Sequence, residues 1–259
     1  MKHARFLHQG RVICATLDGD SLVCEADGTR YPLSGITQWL PPIQPNNMIA
    51  AAINYSDHAS ELGFAKPQEP VLFHKVNTCL LGHMGVVRYP AGAQYMHYEN
   101  ELLVVIGKAG RDIRPADAMD HVLGYTIGND ITVRDYLLPY YRPPLKVKNH
   151  DTFGPMGPYL VDKDDLPDPH NLTIRTYVNN ELRQTGSTRD LIFNVPDLIC
   201  FISSFMTLSP GDVIWTGTPE GISPVHPGDV MRLEIEGLGV LENYISDGSS
   251  TDTTKEAYQ

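Results

Sequence analysis

Short strand-forming segments dominate the sequence and most constrain its fold. They are rich in β-branched or aromatic residues, and Gly, Pro, Asn or Asp stands at their ends, as is typical of strands joined by turns. The chain has 22 glycines and 20 prolines in 259 residues, which suits many turns. A β-rich α+β fold is therefore the default prediction. We expect strands at 48–53, 70–73, 99–106, 122–130, 172–178, 213–216 and 230–235.

Two segments favour helices. Residues 56–62 carry Asp57 in their first turn, and Val195–Phe205 repeats apolar residues with a period of about 3.6, with Pro196 near its first turn. A further single turn is expected at 116–119.

The chain divides into three regions by its pattern. Residues 1–45 alternate apolar and polar side chains around Asp18-Gly19 and Asp27-Gly28, which predicts a small N-terminal β appendage with hairpin turns. Residues 46–248 form the predicted catalytic domain, and residues 249–259 are rich in Ser, Thr and Asp and predict a frayed tail.

Acidic residues outnumber basic ones, 31 to 20, which gives a formal net charge of −11. This charge disfavours nucleic acid and anionic membranes as partners, because both need a basic surface. No run approaches the roughly 18 apolar residues of a membrane span, and the first twenty residues lack the apolar stretch of a secretory signal.

The four cysteines favour a reducing compartment. Cys14, Cys24, Cys79 and Cys200 are far apart and form no CxxC pair, so free thiols in a cytoplasmic protein are the simplest prediction. A disulfide between Cys14 and Cys24 is the alternative.

A run of acidic residues, His97-Tyr98-Glu99-Asn100-Glu101, is the strongest chemical feature. If a strand begins at Glu99, then His97, Glu99 and Glu101 point to the same face, because side chains alternate along a strand. Two carboxylates on one face repel each other unless a cation lies between them, and a hard divalent cation with oxygen ligands is the natural candidate. The alternative is a solvated face of an edge strand.

Asp130 ends the next apolar segment and is a candidate third oxygen ligand. Arg134 follows four residues later and could face the same cavity. Alternatively, Asp130 caps a helix and Arg134 is surface charge.

The most basic stretch follows, with Tyr141 and Arg142 in a proline-stiffened loop before Lys146 and Lys148. Strand alternation would place both lysines on one face, and Lys148 could neutralise a bound carboxylate or stabilise an enolate. A plain surface loop is the alternative.

Two further motifs complete the set. The turn Thr216-Gly-Thr218-Pro-Glu-Gly221 could present backbone N–H groups and a hydroxyl to an anionic group, or it is only a turn. His58 and Glu61 are three residues apart on the expected helix and share a face, which suits a general base. Surface decoration is the alternative for this pair.

Together these motifs resemble the fumarylacetoacetate hydrolase family, and their order along the chain is the family's order. The resemblance covers roughly residues 50–243 and includes several long, specific motifs. They read NYxDHxxELG, PVLFxK, HxExEL, GYxxxNDxxxRD, KxxDTFxP, PDPHNLxIxxxVNxELRQxGxT and PGDVIxTGTPEG.

The resemblance implies a mixed β-roll of the family's own type and a catalytic divalent metal, Mg²⁺ or Mn²⁺. It implies that Glu99, Glu101 and Asp130 hold the metal, and that His58 and Glu61 lie on a mobile lid and relay protons. The substrate site would be lined by Arg134, Tyr141, Arg142, Lys148, Thr152, Gln184 and Thr218.

Residues 96–108 and 134–153 look closest to family members that decarboxylate and isomerise 5-oxopent-3-ene-1,2,5-tricarboxylate during 4-hydroxyphenylacetate breakdown. The expected partner is a small 2-oxo di- or tricarboxylate, and the expected assembly is a homodimer or larger. Some relatives join two homologous halves in tandem, so a homologous partner subunit is a further expectation.

The resemblance leaves other activities open. The chain could be an acylpyruvate or fumarylpyruvate hydrolase, an oxaloacetate decarboxylase, or a non-catalytic partner subunit. Ala52 stands where relatives often have Gly, and His150 stands where many have an aromatic residue, Ser or Arg. Both departures leave the candidate ligands intact but blur the identity of the substrate.

Overall fold

The computed structural model describes residues 1–137, 144–166 and 168–247. In these residues the N-terminal strands are β1 (Lys2–His8), β2 (Arg11–Asp18), β3 (Ser21–Cys24), β4 (Arg30–Pro32), β5 (Trp39–Leu40), β6 (Met48–Ala52), β7 (Val71–Lys75), β8 (Leu80–Leu81), β9 (Val86–Arg88) and β10 (Met96–His97). The later strands are β11 (Asn100–Ile106), β12 (Val122–Asn129), β13 (Thr132–Val133), β14 (Gly154–Asp162), β15 (Thr173–Val178), β16 (Glu181–Ser187), β17 (Val213–Trp215), β18 (Pro224–Val225), β19 (Val230–Ile235) and β20 (Gly239–Ser246). The α-helices are α1 (Ser56–Glu61), α2 (Leu145–Lys148) and α3 (Val195–Phe205).

The prediction of a β-rich α+β fold is confirmed. All seven expected strands occur, with ends that differ from the prediction by at most two residues, and α3 has the predicted bounds. The expected turn at 116–119 lies within a 3₁₀ helix, Pro115–His121. The sequence pattern missed β14, β16 and β20. In β14 this is because two glycines and two prolines in nine residues resemble a loop.

Two large sheets form the body of the fold. The larger has the strand order β4-β3-β2-β1-β14-β12-β11-β17-β6-β7, and the smaller has the order β16-β15-β19-β20-β9. Most neighbours are antiparallel, but β17 runs parallel to β6 and β20 runs parallel to β9. The sheets are therefore mixed, as expected for the β-roll.

Strand β11 lies at the centre of the core. All of its residues are buried, and apolar residues of both large sheets pack in one cluster around it. Burial on both faces explains why its sequence, NELLVVI, is a continuous apolar run after its first two residues rather than an alternating one. Its polar N-terminal end is held rigidly by the same packing, which makes it a firm base for a site.

The N-terminal region is joined to the main sheet. Strands β1–β4 enclose a small core that includes Phe6, Leu22 and Trp39, and β1 pairs with β14 with Lys2 opposite Val161. The first hairpin turn lies at residues 19–20, one position later than expected, because Asp18 pairs with Ser21.

The cysteines and the helices bear on two predictions from the sequence, free thiols and the lack of a membrane span. Cys14, Cys24, Cys79 and Cys200 are all free, so the free-thiol prediction is confirmed and the alternative disulfide is wrong. Cys24 lies opposite Ala15 in the β2–β3 pair, and its side chain is buried while that of Cys14 is exposed. No helix within the described ranges is long and apolar enough to span a membrane.

Candidate metal centre and active site

Three acidic side chains converge where β11 begins and β12 ends. The two strands are antiparallel with Asn100 opposite Asn129, and the Asp130 N–H donates to the Glu99 carbonyl at 2.9 Å. Carboxylate oxygens of Glu99, Glu101 and Asp130 all lie within 4.8 Å of one another, and all three residues are buried. The predicted convergence of these three residues is therefore confirmed.

Three cationic side chains surround this acidic cluster. Lys148 Nζ donates to Glu99 Oε2 at 2.7 Å and also to Asp130 Oδ2. Arg134 Nη2 donates to Glu99 Oε1 at 2.5 Å, and Lys75 Nζ donates to Asp130 Oδ1 at 2.7 Å. Arg134 and Lys148 thus both contact the acidic cluster, and their roles in substrate binding and catalysis stay predictions.

The cations affect the carboxylates unequally. Burial alone would raise the pKa of Glu99, but Lys148 and Arg134 outweigh it and hold that pKa well below its usual range. Burial would likewise lower the pKa of Lys148, but Asp130 and Glu99 outweigh it and raise that pKa. Lys148 therefore stays charged.

Glu101 is the exception. Burial and the neighbouring charges of Asp130 and Glu99 raise its pKa well above the usual value. Its Oε2 accepts a hydrogen bond from the Gly217 N–H at 2.9 Å, and no ion pair to it occurs among the described residues. Gly217 has a φ of +93°, which a glycine adopts at little cost.

A divalent cation fits this donor set. A buried carboxylate without a cationic partner is unfavourable, and hard oxygen donors from three carboxylates are what Mg²⁺ and Mn²⁺ prefer. Glu99, Glu101 and Asp130 could therefore bind a metal ion.

Lys148 reaches the cluster from a helix rather than from a strand. The alternation argument placed Lys146 and Lys148 on one face, but α2 rotates residues two apart by about 200°. Lys148 is buried, whereas Lys146 is exposed, with its Nζ 4.1 Å from the centre of the Tyr136 ring. The expectation that Lys146 and Lys148 share a face was wrong, but Lys148 itself does contact the acidic cluster.

Lys75 is a site residue that the sequence analysis did not assign. Its side chain is 0% exposed, and its Nζ donates to Asp130 Oδ1, to the Lys148 carbonyl at 2.7 Å and to the Phe153 carbonyl at 3.2 Å. The available signal was its place at the end of the family motif at 70–75. A lysine that ends a strand is usually solvated, so its residue type alone argued against burial.

His58 and Glu61 form the predicted pair. His58 Nδ1 lies 2.8 Å from Glu61 Oε2, and His58 is buried. Glu61 Oε1 accepts a hydrogen bond from the Gly221 N–H at 3.0 Å, so helix α1 is docked on the 216–221 turn. Because the same turn also donates the Gly217 N–H to Glu101, it connects the pair to the acidic cluster.

Gln184 is 1% exposed and supports the same turn. Its Nε2 donates to Thr218 Oγ1 at 2.9 Å and to the Pro219 carbonyl at 2.8 Å, and its Oε1 accepts from Thr176 Oγ1. Both amide hydrogens of Gln184 are therefore used inside the protein. Substrate contact by Thr218 stays a prediction.

Three predicted substrate residues remain. Thr152 is buried, and its Oγ1 accepts a hydrogen bond from the Arg88 N–H at 2.9 Å. Tyr141 and Arg142 lie outside the described residues. Roles for these three in substrate binding stay predictions.

Comparison with known proteins points in one direction. Residues 47–246 match the family described as fumarylacetoacetate (FAA) hydrolase C-terminal. Over 199 residues the chain is 56% identical to the 4-hydroxyphenylacetate degradation bifunctional isomerase/decarboxylase of Salmonella dublin. The matched residues are 76% of this chain and 46% of that protein. The chain thus spans about half the length of this curated relative.

Solved structures agree in fold. A 5-carboxymethyl-2-hydroxymuconate delta-isomerase from Mycobacterium smegmatis has a TM-score of 0.85 and 37% identity, covering 95% of this chain and 98% of that one. A maleylpyruvate hydrolase from Sphingobium sp. SYK-6, solved with manganese (II) ion and pyruvate, has a TM-score of 0.80 and 30% identity, covering 95% and 99%.

Proposed function

Because the chain belongs to the fumarylacetoacetate hydrolase family, we propose that it is a divalent-metal-dependent decarboxylase and isomerase. The proposed substrate is 5-oxopent-3-ene-1,2,5-tricarboxylate, in the breakdown of 4-hydroxyphenylacetate. The observation that carries the proposal is the buried cluster of Glu99, Glu101 and Asp130 beside Lys148 and Arg134. The 56% identity to a bifunctional isomerase/decarboxylase supports this substrate over others in the family.

The charges of the site suit an anionic substrate. If Glu99, Glu101 and Asp130 are all ionised, as metal ligands would be, they offset the three positive charges of Lys75, Lys148 and Arg134. A bound Mg²⁺ or Mn²⁺ would leave an excess of about two positive charges, which a 2-oxo acid with several carboxylates would neutralise. The acidic overall composition is compatible with such a substrate, because the substrate meets the electrostatic field of the nearby side chains and not the net charge of the whole chain.

Different side chains have different roles in the proposed reaction. When bound, the metal ion would supply Lewis-acid polarisation of the 2-oxo group. Lys148 and Arg134 lie where they can hold substrate carboxylates, and their contacts with Glu99 keep them oriented. Loss of CO₂ leaves an electron pair in the conjugated system of the substrate, and a proton from solvent at the 2-oxo oxygen then gives a dienol. Transfer of that hydroxyl proton to carbon completes the isomerisation.

His58 is the proposed carrier of that proton. In this proposal Glu61 accepts, as a carboxylate does, and His58 Nδ1 carries the hydrogen that the two share. The Nε2 atom is then left as the base that takes up and returns a proton.

Hydrolysis is the second candidate. The structural likeness to a maleylpyruvate hydrolase favours it, and His58 with Glu61 could activate a water molecule instead of moving a proton on the substrate. Oxaloacetate decarboxylation and a purely supporting role beside a homologous subunit are further outcomes to separate. The cytoplasmic location and the homodimer or larger assembly stay predictions.

One panel of assays tests the proposal. The purified chain alone, with Mg²⁺, Mn²⁺ or EDTA, is given the tricarboxylate, oxaloacetate and acylpyruvates, while CO₂ release and acid production are measured. We expect CO₂ from the tricarboxylate with metal and none with EDTA. Glu101→Gln should abolish turnover because it removes a metal ligand, and Glu234→Gln, in a strand of the smaller sheet, is the matched control with full activity.

Each of the other assay results would indicate a different function. Acid production from acylpyruvates without CO₂ from the tricarboxylate would show a hydrolase. CO₂ from oxaloacetate alone would show an oxaloacetate decarboxylase. A chain that binds Mn²⁺ but turns over none of these substrates would point to a supporting subunit.

A further inference from the structure

Helix α1 carries the proposed proton carrier but has little stability of its own. It is six residues long, whereas isolated helices shorter than about 12 residues are marginal in water. Its N-cap residue, Tyr55, makes no capping hydrogen bond with its side chain. The position of His58 must therefore be set by contacts at the two ends of the helix.

The end of α1 is held by the contact between Glu61 and the Gly221 N–H. Its start follows Asn54, which is 1% exposed and makes three hydrogen bonds through its side chain. Asn54 Nδ2 donates to the Thr216 carbonyl at 2.8 Å and to the Phe193 carbonyl at 3.0 Å, and Oδ1 accepts from the Phe193 N–H at 2.8 Å. Both amide hydrogens are used, which leaves none to donate to a substrate.

The backbone around Asn54 shows that this position is imposed by the surroundings. Ile53 has a φ of +55°, an unfavourable conformation for a β-branched residue that persists only where other contacts hold it. The Asn54 carbonyl accepts from the Ile192 N–H at 2.7 Å, and Tyr55 forms a β-bridge with Leu191. The chain is thus clamped immediately before α1.

Thr216 is the fixed side of this clamp. Its N–H and its Oγ1 both donate to the carbonyl of Leu102 in β11, at 3.2 Å and 2.9 Å. The next residue, Gly217, donates its N–H to Glu101. Because Thr216 is anchored on β11 without help from Asn54, losing Asn54 would release α1 and leave the acidic cluster in place.

We propose that Asn54 is a positioning residue that sets helix α1 in register with the acidic cluster through the Thr216 carbonyl. It acts through His58 and Glu61 and touches neither metal nor substrate. The inference rests on the proposed function for its catalytic consequence, because that function assigns proton transfer to His58.

A matched pair of variants tests this role. Asn54→Ala removes the three side-chain hydrogen bonds of the clamp and keeps its backbone contacts. Asn243→Ala removes a comparable buried amide in β20, whose Nδ2 donates to the Gly82 and Gly85 carbonyls. Five quantities are measured on the full chain: kcat and KM with the tricarboxylate, the Kd for Mn²⁺, the melting temperature, and the hydrogen exchange of the amides at 57–64 and in β11.

We expect Asn54→Ala to lower kcat about tenfold or more and to speed exchange at 57–64 by a similar factor, because α1 opens locally. The Kd for Mn²⁺ and the exchange in β11 should stay at the values of the unchanged chain. Asn243→Ala should lower the melting temperature to a comparable degree without changing kcat or the exchange of α1.

Two results would overturn the inference: wild-type exchange at 57–64 in Asn54→Ala, or loss of Mn²⁺ binding together with activity. If either alanine variant does not fold, Asn54→Ser and Asn243→Ser make the same comparison. Exchange and Mn²⁺ binding need no substrate, so a wild-type chain that does not turn over the tricarboxylate would contradict the proposed function alone. Exchange would then still decide the inference.

Discussion

At the scale of single residues, Lys75 has the most unusual environment for its type. Lysine is almost never fully buried unless it is paired, and this one is fully buried. The pairing is complete, because its three hydrogens meet Asp130 and two backbone carbonyls, and the ring of Trp215 lies 5.1 Å from its Nζ. It joins Asp130, a candidate metal ligand, to the segment that carries Lys148.

Replacing Lys75 by Met should cost about 3–5 kcal/mol of unfolding free energy, because it leaves buried negative charge and unpaired carbonyls. Saturating Mn²⁺ should restore part of this loss, since a cation would again neutralise Asp130. Urea unfolding with Mn²⁺ and with EDTA measures both effects. Lys163→Met is the control, because the Lys163 Nζ donates a single hydrogen bond within the described residues, to the Met119 carbonyl, and lies outside the acidic cluster. Equal losses in the two variants would contradict the assigned role.

At the scale of elements, the 216–221 turn connects otherwise separate parts of the site. Its Gly217 N–H binds Glu101, its Gly221 N–H binds Glu61, and Gln184 supports Thr218. The Tyr98 hydroxyl also donates to the Gly221 carbonyl at 2.6 Å. A turn held from strands β11 and β16, from Tyr98 and from helix α1 can orient a substrate group without a large rearrangement.

A double-mutant cycle on this turn distinguishes support from direct contact. Gln184→Met and Thr218→Val should each lower kcat/KM about fivefold or more, which corresponds to the loss of one hydrogen bond. If Gln184 acts through Thr218, the double variant should lose clearly less than the sum of the two single effects. Additive losses in steady-state kinetics would instead indicate that Gln184 contacts the substrate itself.

At the scale of the whole molecule, His83 links distant regions of the fold. Its Nδ1 accepts a hydrogen bond from the Glu242 N–H of β20 at 3.0 Å. Its ring packs in a T-shaped arrangement with Trp39, a member of the small N-terminal core, with the ring centroids 5.2 Å apart. Burial lowers the pKa of His83 to about 4. The neutral ring is therefore part of the folded structure.

Stability should consequently fall with acid between about pH 6.5 and pH 4. An unfolded histidine has a pKa of about 6.5, so unfolding takes up a proton in this window and acid favours the unfolded chain. Above that window the contribution is complete and independent of pH. His83→Gln should remove about 1–3 kcal/mol of the acid-dependent loss in urea titrations. Burial also lowers the pKa of His97 to about 4, so part of the slope should remain.

The exposed His74 provides the control for this experiment. His74→Gln should leave the acid dependence of the unfolding free energy unchanged, because its side chain is in solvent. Identical slopes for His83→Gln and the unchanged chain would show that the His83 ring is not held neutral by the fold.

Much of the fold and the acidic cluster could be predicted from sequence because the relevant information is local. β-Branched and aromatic residues bounded by turn residues identified the seven expected strands, and a spacing of two residues at the start of β11 brought Glu99 and Glu101 together. Loop-like composition hid β14, and the helical turn at 145–148 was too short to show a period.

The sequence by itself thus determined the fold class, the family, the three candidate ligands and the His58–Glu61 pair. Only the tertiary structure decided the buried, hydrogen-bonded surroundings of Lys75, Asn54 and Gln184, and the buried position of Lys148. The physical reason is that burial and hydrogen bonding depend on residues far along the chain. Lys75 meets Asp130 across 55 positions, and Asn54 meets Thr216 across 162. No local pattern records those distances, and folding brings the partners together.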